Sequence, residues 1–204
     1  MLRNNLTKHK YVMRTNLIWS GIEYDSKEHC SITTRNGITT VDSVIVGSYQ
    51  HDVYRVAYKL IINNKWQLTS VEINSLVNNK ETNYHLRSDG TGNWTSHNIE
   101  TAKFKGCIDI DISLTPFTNT LPINRLNLAD GQSAQIKVLY FNLLEQQLKP
   151  LHQQYTCLSS TEYKYENIPN DFEAIITIDE QGLVVNYPQL FTKTVIQESD
   201  GSLI

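Results

Sequence analysis

The stretch His51-Asp52-Val53-Tyr54-Arg55-Val56-Ala57-Tyr58-Lys59-Leu60-Ile61-Ile62-Asn63 decides the fold class. Tyr54, Val56, Tyr58, Leu60 and Ile62 fall on every second residue, with Arg55, Ala57 and Lys59 between them. Side chains of extended backbone alternate between two faces, so this run predicts a strand with one buried face. Phe172 to Ile178 repeats the rhythm, with Phe172, Ala174, Ile176 and Ile178 inward and Glu173 and Thr177 outward; Ile175 is the exception.

Outward from these two runs, composition points the same way. The 204 residues include 20 Ile, 12 Val and 19 Thr, a quarter of the chain, against 5 Ala. β-Branched side chains are stiff at χ1 and fit a pleated surface better than a helix. Further strand candidates are 17–24, 28–35, 39–46, 66–73, 81–88, 107–114, 135–142, 154–158, 162–166 and 183–187. Between them stand pairs that tolerate left-handed backbone, among them Asn36-Gly37, Asn63-Asn64, Asn78-Asn79, Asp89-Gly90, Asp130-Gly131 and Gln181-Gly182. No strongly helix-periodic stretch reaches about ten residues. The chain therefore reads as mainly β, one antiparallel sandwich or barrel domain over 1–204, with 1–15 and 197–204 expected to fray.

Charge and cysteine usage exclude several partner classes. Lys and Arg number 18 against 21 Asp and Glu, a net charge of -3, so no basic surplus is available for nucleic acid or an anionic membrane face. Cys30, Cys107 and Cys157 form no CxxC and suit free thiols in a reducing compartment. Arg3, Lys8, Lys10 and Arg14 break up the N-terminal segment, which does not resemble a signal peptide. No apolar run approaches the roughly 18 residues of a membrane span. A soluble, cytoplasmic product is expected. The six histidines show no HExxH or paired-ligand spacing, so neither a metal nor another cofactor is predicted.

Tyrosine supplies 11 of the 19 aromatic residues. Each joins an apolar ring to a hydroxyl, and as a population they suit an amphiphilic cavity inside a curved sheet.

The least generic stretch runs from Phe104 as FKGCIDIDISLTPFTNTLPINRL. A strand through Cys107 to Ser113 puts Cys107, Asp109, Asp111 and Ser113 on one face, the two carboxylates ~7 Å apart at the backbone. Anions that close must be solvated, paired with a cation or partly protonated. Three readings compete: ligands for a divalent metal, as in many glycosyltransferases; an acid/base pair for glycoside hydrolysis; or a structural pair meeting Arg125. A lone Asp-x-Asp serves structure more often than chemistry. Thr115-Pro116 and Leu121-Pro122 predict a stiff loop without hydrogen-bond ladders, in which Thr118 and Asn119 satisfy local backbone or face a polyol. Arg125 meets either an internal carboxylate or an anionic head group, the internal pair being favoured.

Gly106-Cys107-Ile108-Asp109-Ile110-Asp111 followed by Thr115-Pro116-Phe117-Thr118-Asn119-Thr120-Leu121-Pro122-Ile123-Asn124-Arg125-Leu126 resembles the hallmark of the putative glycolipid-binding family, formerly a domain of unknown function. Trp19, Asp89-Gly90 with Trp94, Gln154-Tyr155, Tyr163 with Tyr165, and Asp179, Gly182, Val184, Tyr187, Pro188 and Phe191 extend the likeness along nearly the whole chain. One departure is Asn124, where the family usually carries a second Arg, which puts anion binding by an Arg pair in doubt. The resemblance implies a split or half barrel with few short helices, similar to bacterial lipoprotein-carrier proteins, whose apolar interior holds glycolipid. No catalytic residues carry over.

The expected function is non-catalytic binding or carrying of an amphiphile, a lipid or glycolipid, in an apolar cavity of the curved sheet. Asp109, Asp111, Thr118, Asn119 and Arg125 are the candidate rim, with Tyr155 and Tyr165 as cavity lining. Two other classes stay open: an enzyme acting on a sugar or lipid head group through Asp109 and Asp111, and a protein-interaction module using exposed sheet edges.

Overall fold

The alternation read in residues 51–63 is a strand, Asp52–Ile62, with Tyr54, Val56, Tyr58, Leu60 and Ile62 all buried and Arg55 and Lys59 exposed. The computed structural model describes residues 11–169 and 171–202. In chain order the first half contains β1 (Tyr11–Gly21), β2 (Ser26–Arg35), β3 (Ile38–Tyr49), β4 (Asp52–Ile62), β5 (Leu68–Val77), β6 (Lys80–Ser88) and β7 (Trp94–Thr95). A central segment follows, carrying a 3-10 turn at Ala102–Phe104, β8 (Asp109–Ile112), a second 3-10 turn at Phe117–Asn119 and helix α1 (Thr120–Leu126). The second half contains β9 (Ser133–Asn142), β10 (Gln147–Ser159), β11 (Glu162–Ile168), β12 (Glu173–Ile178), β13 (Val184–Tyr187) and β14 (Phe191–Ser202).

These strands make one sheet, in the order β7-β6-β5-β4-β3-β2-β1-β14-β13-β12-β11-β10-β9-β8. It is two antiparallel meanders joined where β1 pairs with β14; among the described residues only β8 and β9 run parallel. Although β6 and β9 lie near opposite ends of this order, the rings of Tyr84 and Phe141 meet edge to face at 5.3 Å. The sheet is therefore curled until its ends approach, the split barrel that the sequence resemblance implied. At the split, Gly106 N donates to Gly92 O at 2.9 Å and the Trp94 indole donates to Cys107 O at 2.7 Å. Gly92 has φ +93°, and a Cβ there would lie 2.8 Å from Gly106 Cα, so this approach requires glycine.

The interior is largely filled. One apolar cluster packs the inner faces of β1 to β6 against Phe104, Ile110, Ile112, Leu114, Phe117 and Leu121 of the central segment. A second packs Ile123 against Ile136, Tyr155, Ile176, Val184 and Phe191 in the other half. The central segment is thus wrapped by the sheet on both sides, which explains why Ile110 and Ile112 and also Asp109 are buried. The apolar hollow expected inside the barrel is occupied by this segment, because its own side chains cover the concave face that the meanders leave bare.

Two other expectations change. The stretch after Pro116, read as a ladder-free loop, contains α1: Pro122 sits in its first turn, where a missing N–H removes no intrahelical bond. Asn127 ends the helix in the left-handed region (φ 46°), its N–H returning to Ile123 O at 3.1 Å. Residues 11–15 and 197–202, expected to fray, pair with each other from Tyr11↔Ser202 inward. That ladder rests on backbone hydrogen bonds, so the polar, poorly alternating sequence of β14 gives no sign of it. Residues 1–10 and 203–204 lie outside the described residues. Among the described residues, no helix is long and apolar enough to cross a membrane.

Candidate functional site

β12 and β13 are short and sparsely paired with each other and with β14. β12 and β13 share only Thr177↔Asn186 and Ile178↔Val184, and β13 and β14 share Asn186↔Thr192 and Tyr187↔Phe191. Beside them opens a cleft of ≈ 480 Å³, within the roughly 300–1,000 Å³ of small-molecule sites. Its floor is the central segment, which presents Asp111, Ser113, Thr115 and Asn119. Tyr140 from β9 and Leu151 from β10 form one wall; Tyr165, Phe172, Tyr187 and Phe191 form the other. Glu23, Glu145 and Lys149, all exposed, stand at the mouth.

The second wall is a continuous aromatic row. Tyr165 meets Phe172 at 6.1 Å and Tyr187 at 6.1 Å, and Tyr187 meets Phe191 at 6.3 Å, mostly tilted or edge to face. Tyr24 extends the row, 5.9 Å from Phe191. Phe172 keeps 39% of its surface exposed although it packs on two rings. An aromatic face left open above a groove is what an alkyl chain or the C–H face of a sugar can cover. The alternation, which puts Phe172 at an inward strand position, does not single out this wall: Phe172 precedes β12 and stays exposed, Tyr187 ends β13 and Phe191 opens β14.

Asp111 is the chemically distinct group on the floor. Gln153 Nε2 donates to its Oδ2 at 2.7 Å and Thr118 Oγ1 lies 3.4 Å from its Oδ1, both neutral partners. Burial pushes its carboxyl up to about 6, against these two hydrogen bonds, so it keeps its proton to higher pH than an ordinary carboxylate and carries its charge above that value. Burial also raises the phenols of Tyr140, to about 12, and of Tyr165, with the Asp111 charge adding to both; they stay protonated donors.

The seven candidates from the sequence are not brought together as one rim. Asp111, Asn119 and Tyr165 line the cleft. Thr118 is buried behind the floor, where it also accepts Ile112 N at 3.3 Å. Tyr155 does not line the cleft: it is buried beneath it, its hydroxyl donating to Asn119 Oδ1 at 2.8 Å and so fixing that amide. Asp109 and Arg125 turn away and bind each other, Arg125 Nε at 3.0 Å from Oδ1 and Nη2 at 2.6 Å from Oδ2. Burial raises the Asp109 carboxyl, opposed by the guanidinium. The two carboxylates therefore do not act on one space, because Asp109 is buried against Arg125 while Asp111 lines the cleft. Sequence reading missed Tyr24, Tyr140, Phe172 and Tyr187 as a set: alternation gives Phe172 only as an inward strand position, Tyr187 enters as part of the family resemblance, and for Tyr24 and Tyr140 the abundance of tyrosine is the signal.

A curled, incompletely closed sheet around an internal segment, with an amphiphilic cleft beside that segment, defines a β-barrel-like protein. The chain belongs to the family described as "Putative glycolipid-binding", whose model matches residues 16–193. It is similar to a DUF1089 family protein from Pseudomonas aeruginosa, with 35% identity, TM-score 0.74, and coverage of 82% of this chain and 91% of that one. It shares its fold with a β-barrel-like protein of domain of unknown function DUF1849 from Brucella abortus, at 5% identity and TM-score 0.55, covering 96% of this chain and 100% of that one. No curated protein matches it significantly.

Proposed function

We propose that this protein binds an amphiphile, of the glycolipid kind that the family description names, in the cleft between Tyr165 and Tyr140. The observation that carries this reading is the division of the cleft into an open aromatic wall and a floor of hydroxyl, amide and carboxylate groups. An alkyl segment gains ~0.8 kcal/mol per buried methylene against the aromatic row. A hydroxyl-bearing head finds acceptors and donors in Asp111, Asn119 and Ser113. The walls are not uniformly apolar, so the cleft suits the junction of head and chain and holds only part of a long chain. Asp109 is engaged by Arg125, so the Asp109/Asp111 pair does not offer two carboxylates to one substrate for paired acid/base work.

The test is titration of the full chain with n-dodecyl maltoside below its critical micelle concentration, followed by tyrosine and tryptophan fluorescence and by native mass spectrometry. Saturable binding that weakens in Phe172→Ala supports the reading. Absence of saturable binding, to this detergent and to total lipid extracts, overturns it.

A further inference from the structure

The charge lining the cleft is one-sided. Three carboxylates, Glu23, Asp111 and Glu145, face a single amine, Lys149. Glu23, Glu145 and Lys149 are exposed at the mouth, where solvent and salt screen them. Asp111 lies on the floor, held by an amide and a hydroxyl, with no cation among its hydrogen-bonding partners. Its field therefore acts inside the cleft with little compensation. Arg125, the guanidinium that the central segment carries, is the group that would favour a phosphate or sulfate, and Asp109 holds both its Nε and Nη2.

We infer that the cleft discriminates by head-group charge: it accepts an uncharged, hydroxyl-rich head and excludes anionic ones, and Asp111 is the residue that sets this specificity. The inference rests on the amphiphile-binding reading above and deepens it. A ring hydroxyl placed over the floor donates to the carboxylate, while the C–H face of the same ring lies against Tyr165 or Phe172. A phosphate, sulfate or carboxylate in the same place meets Asp111 as a like charge, and the repulsion acts where water is partly displaced. Rejection thus comes from a repulsive group built into the floor, separate from the aromatic contacts that give affinity.

The experiment uses three single-chain amphiphiles of equal length below their critical micelle concentrations at neutral pH: octyl β-glucoside, octyl phosphate and octyltrimethylammonium. Each is titrated calorimetrically into the full chain and into Asp111→Asn. The expected result is binding of the glucoside tighter than the phosphate by up to about tenfold, with that gap largely closed in Asp111→Asn. Phosphate binding equal to or tighter than glucoside in the native chain overturns the inference, whatever happens to the fold of the variant. An unchanged gap in a folded Asp111→Asn overturns the assignment to this residue, and ammonium binding tighter than glucoside overturns the choice of a hydroxyl-rich head. Binding of none of the three removes the parent reading and the inference together, whereas equal binding of all three removes only the charge selection.

Discussion

Thr115 Oγ1 donates a hydrogen bond to Glu28 Oε1 at 2.9 Å across 87 positions of sequence. Ser43, at 2.7 Å, and Tyr58, at 2.6 Å, donate to the same oxygen, while Glu28 Oε2 is buried with no partner among the described residues. This single oxygen ties β2, β3 and β4 to the segment that forms the cleft floor. Thr115 also accepts Phe117 N at 3.0 Å, so the same hydroxyl shapes the entry to the 3-10 turn. The sheet and its internal segment are thereby positioned relative to each other by a buried acid.

That acid predicts a pH dependence of stability. Burial pushes Glu28 from 4.5 to about 7, against the three hydroxyl hydrogen bonds. The unfolded chain loses this proton at ordinary carboxylate pH, whereas the folded chain holds it to near neutrality. Between those two values the folded state binds more protons, so stability falls as pH rises and the loss is complete above pH 7. The contribution is ~3 kcal/mol at most. Asp111, raised from 3.8 to about 6, acts with the same sign at lower pH. Thermal melts of the native chain and Glu28→Gln between mildly acidic and mildly alkaline pH should diverge, the variant losing less stability on the alkaline side. Parallel curves would show that Glu28 does not titrate in this range.

The Asp109–Arg125 pair should behave as structure. Asp109 is 1% exposed at its side chain and Arg125 16%, so removing either partner strands a buried charge. Arg125→Met should cost ~3 kcal/mol, and Asp109→Asn combined with Arg125→Met should recover most of it. Denaturant titration reads both, and amphiphile affinity of the folded double variant should match the native chain. A selective loss of affinity at native stability would return the pair to the binding site.

Two glycines separate crowding from backbone conformation. Gly92 and Gly131 both have positive φ, +93° and +78°, but a Cβ at Gly131 meets nothing within 4 Å, whereas one at Gly92 meets Gly106 backbone at 2.8 Å. Gly131→Ala should cost ~1 kcal/mol, the conformational term alone. Gly92→Ala should cost clearly more, roughly 2–3 kcal/mol, by prising apart the Gly92–Gly106 contact. Equal losses would mean that the split tolerates widening.

Ligand binding should be visible in the weakly laddered strands. With two paired positions between β12 and β13, this region opens more easily than the long ladders of β3 and β4. Amide exchange of Ile176, Ile178 and Asn186 should slow when dodecyl maltoside binds, while Val56 and Leu60 stay unchanged. Protection appearing first in β4 would point to a site elsewhere.

Much of the fold was legible because strand alternation is a local property. The residues at 54, 56, 58, 60 and 62 are buried as their spacing required, and each of the twelve predicted runs overlaps a strand. β14 was not legible: Val195 and Ile196 are both exposed, at 57% and 39%, and its partner β1 lies at the other end of the chain. The helix in residues 120–126 was missed because two prolines argue against helix unless one falls in a first turn, and only the completed hydrogen bonds reveal where that turn begins.

The candidate site divides along the same line. Residue types and the two-residue period by themselves specified a mainly β chain, marked Asp109, Asp111 and Arg125 as charges needing partners, and carried the family resemblance. Only the tertiary structure decided that Arg125 takes Asp109, that Tyr155 lies under Asn119, and that Asp111 faces the cleft with Tyr165. The reason is physical: side-chain alternation follows from backbone geometry within a few residues, whereas a partner for a charge depends on how a long sheet curls and what it encloses.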